Sequence, residues 1–189
     1  MTAITNTTRN GIDVAQVYGT LDAIAADPSL ARFEFRVSNR WITGTHSRST
    51  IQGFHGAGQE DASREQAFVV DASEPPVLLG HNEAPNPAEL LMHALAGCLT
   101  LTIVNVAAAR KVTLTEVSSR LEGELDARGA LGLDDSVRNG FQRLSIAFTV
   151  RGEASPEKLQ EIVERAKARS VVYDIVSNGV PVDVTAEVG

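Results

Sequence analysis

The chain has 189 residues, 43% of them hydrophobic and 22% charged, with a net charge of −7 and a sequence pI near 5.1. That length suits one domain able to bury its own core, and the acidic balance excludes general binding to nucleic-acid phosphates. The single cysteine, Cys98, excludes an intramolecular disulfide and fits a reducing, cytoplasmic setting.

The first 31 residues read as an N-terminal extension to a domain spanning residues 32–189. They show no apolar run of a secretory leader. Val14 to Ala26 has the make-up of a short helix, interrupted by Asp27-Pro28. From Arg32 the pattern changes. FEFRV alternates apolar and polar residues, a strand signal, and Trp41 to Phe54 reads as two strands joined by a turn around Gly44 to Ser47. His55 to Glu65 reads as a loop, Ala67 to Val70 as another strand, and the proline-rich stretch Ser73 to Pro87 as a long connection.

A helix follows, with Asn86 as N-cap, Pro87 in its first position and Glu89 in its first turn, where the helix dipole favours a carboxylate. From Leu90 to Ala109 it is apolar on nearly every side, as in a helix surrounded by protein. The run approaches membrane-spanning length, but His93, Thr100, Thr102 and Asn105 lie within it and no aromatic belt flanks it, so a buried helix is the better reading. Val112 to Leu125 and Phe141 to Val150 read as strands. Ser155-Pro156 opens an amphipathic helix with the stripe Leu159, Ile162, Val163 and Ala166. Ser170 to Ser177 reads as a short helical or turn segment stopped by Asn178-Gly179, and Val180 to Val188 as a closing strand. The outline is α+β, with antiparallel sheets and helices packed on them. A domain of this size seldom surrounds an all-round apolar helix by itself, so a second copy of the chain is expected to cover part of it.

Few residues offer chemistry. Cys98 is read either as a buried core thiol, the common state of free cysteine, or as a reactive thiolate. It lies twelve positions beyond Asn86, about three turns into its helix, where that helix's own dipole helps little. Activation would then need a cation from elsewhere, with Arg48 and Arg64 as candidates. His93 lies five residues before Cys98, about 140° around the axis, so the two do not face each other. No histidine pair has i, i+4 spacing, and no CxxC, HExxH, P-loop or GxSxG motif occurs, so neither a metal nor a bound cofactor is expected.

The stretch NPAELLMHALAGC, from Asn86 to Cys98, resembles the helix signature of the OsmC/Ohr family of osmotically inducible and organic hydroperoxide resistance proteins. The element order after it is similar as well, so the resemblance covers roughly residues 33 to 188. It implies an intertwined α+β homodimer with central helices between the subunits. It also implies reduction of peroxides by a thiolate, at the position of Cys98, which becomes a sulfenic acid. In the family a second cysteine resolves that acid, and an arginine and a glutamate hold the first thiolate. Here Ser170 occupies the resolving position, Ala88 that of the glutamate, and the acid stands one residue later at Glu89. The implied function is a one-cysteine peroxidase for organic hydroperoxides with an external thiol as resolver, its site drawn from Cys98, Arg48, Arg64 and Glu89. The alternative is a non-catalytic dimer that binds a small apolar ligand. Acyl or alkyl transfer at Cys98 is a third chemistry that no residue selects.

Overall fold

The structure, a computed structural model, describes residues 8–189. The first seven residues of the expected extension therefore lie outside the described part. The chain forms two compact units: one comprises Asp13–Leu91 with Thr8, the other Arg9–Ile12 with Met92–Gly189.

The chain begins with two short strands, β1 (Thr8–Arg9) and β2 (Ile12–Asp13). Asn10 and Gly11 between them have φ of 52° and 78°, the left-handed pair a two-residue hairpin turn demands. Helix α1 (Val14–Ala26) starts at Asp13, whose carboxylate accepts from the backbone N–H groups of Ala15 and Gln16, and it ends at Asp27, before a 3-10 turn over Pro28–Ala31. The alternating FEFRV stretch supplies only a two-residue strand, β3 (Glu34–Phe35). β4 (Ser38–Thr43) and β5 (His46–Ile51) form the expected hairpin, and β8 (Phe68–Ala72) pairs on the other side of β5. Residues 55–65, expected as loop, contain a small hairpin, β6 (Phe54–Gly56) and β7 (Gln59–Asp61), and β3 pairs with β6. Its turn uses Ala57 and Gly58 at φ of 51° and 79°. The connection after β8 is held closely: a Cβ on Gly80 would lie 1.8 Å from the carbonyl oxygen of Glu74.

Helix α2 (Pro87–Ala109) opens with a reciprocal cap. Asn86 Oδ1 accepts from the Glu89 N–H at 2.8 Å, and Glu89 Oε2 accepts from the Asn86 N–H at 2.9 Å. In the second unit, β9 (Leu114–Glu124) and β10 (Arg143–Gly152) form a long antiparallel pair, joined by a loop that includes the short helix α3 (Ala127–Ala130). β10 alternates strictly, with Leu144, Ile146, Phe148 and Val150 on its more buried face. Ser155 caps α4 (Pro156–Lys167), whose stripe buries Ile162 and Ala166. These two residues join Ile103, Val106, Ala107 and Val112 in the core of this unit. Arg9 and Asn10 belong to the same unit: Arg9 donates to Thr113 Oγ1, and the Asn10 side chain bonds the Val112 carbonyl and the Leu114 N–H. Part of the expected extension is thus tied to the start of β9.

Within the single chain the apolar helix is covered on one side, as expected for a domain of this size: Leu95, Leu99, Ile103 and Val106 to Ala108 are buried, whereas Leu91 and Leu101 are 42% and 57% exposed. One expectation changes. The closing strand is not formed. Residues 180–188 have no regular structure, and Val182, Val184 and Val188 are exposed. A period-two sequence becomes a strand only with a neighbouring ladder, and among the described residues none pairs with it.

Candidate active site

Cys98 lies about midway along α2, half-buried. The next helix that bears on it is α5 (Val171–Asn178), which is stopped by Gly179 at φ 75°. Its N-cap is Ser170, only 2% exposed. Ser170 Oγ accepts from the Tyr173 N–H at 3.3 Å and lies 3.2 Å from Cys98 Sγ, to which its hydroxyl donates. The backbone N–H groups of Val172 and Val171 also lower the pKa of the thiol. They are among the first amides of α5, which have no partner inside their own helix. The Thr102 hydroxyl donates to the Cys98 carbonyl at 2.7 Å; its one proton fixes the backbone rather than the sulfur.

These groups set the thiol's acidity. Burial pushes it up, while the Ser170 hydroxyl and the two valine amides pull it down, and the balance lies below the ordinary thiol value. A cysteine at a helix N-terminus is a recognised setting for such a shift. The helix responsible is α5, not α2, so the distance of Cys98 from Asn86 does not decide its reactivity.

The other expected site residues are engaged elsewhere. Glu89 completes the cap of α2. Arg48 holds Asp71 through two parallel bonds, Nε to Oδ1 at 2.7 Å and a terminal nitrogen to Oδ2 at 2.8 Å, and His46 Nε2 lies 3.2 Å from the same carboxylate. The Arg48 bond is the main cause that lowers the Asp71 pKa to about 2. Arg64 lies over the rings of Phe54 and Phe68, 5.2 and 5.4 Å from their centroids, and donates to the Gln52 carbonyl. Among the described residues no group of His, Cys, Asp or Glu is arranged to hold a metal ion.

Sequence reasoning missed the part Ser170 plays. The signal was present: a residue in the place of a disulfide-forming cysteine must lie within reach of its partner sulfur, whatever its side chain. The second unit also holds a cavity of about 650 Å³. Leu99, Ile103, Ile146, Phe148 and Val163 line it, with Tyr173, Glu164 and Lys167 as polar members. Leu99 follows Cys98 in sequence, and Tyr173 is the residue whose N–H bonds Ser170.

A single acidified thiol on a long helix, set against the start of a second helix in an α+β scaffold, defines a candidate thiol site. The family model described as OsmC-like protein matches residues 80–185, more than half of the chain. The chain therefore belongs to the OsmC-like protein family. Its fold is similar to that of an OsmC-like protein of Mycoplasma pneumoniae (TM-score 0.56, 12% identity, covering 77% of this chain and 88% of that one). It is also similar to an OsmC-like protein of unknown function from Vibrio cholerae (TM-score 0.50, 13% identity, 75% and 92% covered). A third is an organic hydroperoxide resistance protein OsmC of Legionella pneumophila (TM-score 0.50, 19% identity, 77% and 91% covered). No curated protein matches the chain.

Proposed function

We propose that this chain is a one-cysteine thiol peroxidase that reduces organic hydroperoxides through Cys98, in oxidative stress defence in the cytoplasm. The observation that carries the reading is the setting of the sulfur: it is half-buried, accepts from the Ser170 hydroxyl at 3.2 Å and is more acidic than an ordinary thiol. The thiolate attacks the terminal oxygen of the hydroperoxide. The O–O bond breaks, the alkoxide takes a proton and leaves as the alcohol, and the sulfur becomes a sulfenic acid. An external thiol then attacks the sulfenic sulfur and releases water, and a second thiol exchanges with the mixed disulfide to restore Cys98. Ser170 has no thiol with which to replace that external partner.

The apolar lining of the cavity next to Leu99 supports an alkyl substrate. The exposed Leu91 and Leu101 of α2 support a homodimer in which a second copy covers that face. Arg48, Arg64 and Glu89 carry no step of this reading, since each is held by another partner: Asp71, the Phe54 and Phe68 rings, and Asn86.

The test is consumption of an organic hydroperoxide by the purified protein in the presence of a dithiol. Consumption is expected in the wild type and absent in Cys98→Ser; equal rates in the two would sink the reading. The cavity also favours a second reading, a dimer that binds a small apolar ligand without turnover. Ligand binding with no peroxide loss is the outcome that selects it.

A further inference from the structure

The family signature implies a cation beside the reactive sulfur, yet the Ser170 hydroxyl that bonds Cys98 and the α5 amides that lower its pKa are all neutral. Ser170 is suited to a donor's role in three ways. It is almost wholly buried, so water does not compete for its hydroxyl. One of its lone pairs is taken by the Tyr173 N–H, which leaves the hydroxyl proton to face the sulfur. It also stands at the N-cap of α5, so the side chain that donates and the helix end that adds two amides are fixed together.

We propose that Ser170 is the positioning residue of the site, holding the Cys98 sulfur as a thiolate through its hydroxyl, together with the first amides of α5. This deepens the peroxidase reading and rests on it for its use in turnover. The place of the resolving cysteine thereby gains a different role. The residue there stabilises the nucleophile and leaves the reduction of the sulfenic acid to a thiol in solution. Because the donor set comes from one chain, the acidity of Cys98 does not require a second subunit's arginine.

The experiment is the pH profile of Cys98 alkylation by iodoacetamide in the full chain, where it is the only thiol. Ser170→Gly deletes the hydroxyl but keeps a residue that serves well at an N-cap, so α5 retains its start. Loss of a hydrogen bond to a charged group is expected to cut the thiolate population at neutral pH about tenfold. The alkylation rate there falls less, about threefold, because a more basic thiolate is a better nucleophile. Ser170→Thr keeps both hydroxyl and cap and is expected to restore the wild-type profile. A Ser170→Gly profile that superimposes on the wild type would overturn the proposal. So would a Ser170→Thr profile displaced as far as that of Ser170→Gly, which would mark packing as the cause. The readout needs no peroxide. A protein with the expected profiles but no hydroperoxide consumption would therefore remove the peroxidase reading and keep Ser170's role.

Discussion

Ser170 Oγ lies 3.2 Å from Cys98 Sγ across a sequence separation of 72 residues. That is close enough for a second sulfur at the same place to bond the first after a change of rotamer. Ser170→Cys is therefore expected to form an intrachain disulfide on treatment with an organic hydroperoxide. Both thiols would disappear from a denatured thiol titration and return after reduction. Retention of two free thiols after complete oxidant consumption would contradict the geometry.

Cys98 should titrate below an ordinary thiol. Its folded pKa is depressed, so the linked stability is present above the unfolded thiol's pKa and is lost as pH falls through the folded value. In practice, alkylation of the native protein reaches half its plateau at a lower pH than alkylation of the same chain in denaturant. Coincident midpoints would show that the α5 donors do not act on the sulfur.

Asp71 offers a second pH signature, in the other unit. With its pKa lowered to about 2 by the Arg48 bond, its linked stability is complete above the unfolded carboxylate's pKa of about 4 and is lost between there and about 2. Arg48→Ala should move the Asp71 carboxyl titration, followed by NMR, upward toward the ordinary range. An unmoved titration would mean that the ion pair seen here does not persist in solution.

Ile162 is fully buried among Ile103, Val106, Ala107, Val112 and Ala166. Ile162→Ala should cost about 2–5 kcal/mol in chemical denaturation, the range for truncating a large aliphatic side chain in a core. A loss under about 1 kcal/mol would show that this cluster is not the core of its unit.

Leu101 is 57% exposed on α2 in the single chain. If a second copy covers it, Leu101→Lys should shift the mass measured by light scattering from dimer to monomer. A wild-type monomer, or a variant dimer as stable as the wild type, would remove the shared-helix interface from the proposal.

The sequence was most legible where one local rule acts alone. Asn86 and Pro87 marked the start of α2, Ser155 and Pro156 that of α4, and the stripe through Ile162 and Ala166 marked its buried face. The β6–β7 hairpin was hidden because its strands have three residues each and its glycines also suit an open loop. The valines from 180 to 188 carry strand character, but pairing depends on a neighbour that sequence period does not supply. At the site, composition left Cys98 open between core thiol and thiolate, the resemblance of Asn86 to Cys98 singled it out as the candidate nucleophile, and neither gave its environment. The donors come from residues 170 to 172, and only folding brings them to the sulfur.

The presence of one sulfur nucleophile sets the kinetics of recovery. A site with an internal resolver closes its disulfide at a rate independent of the surroundings. With serine at that position, the oxidised form of Cys98 waits for a collision, and its lifetime is inversely proportional to the concentration of free thiol around it. On the proposed peroxidase reading, a thiol-rich medium would sustain turnover. In a depleted one the protein would accumulate oxidised, and the fraction oxidised would become a record of the thiol supply.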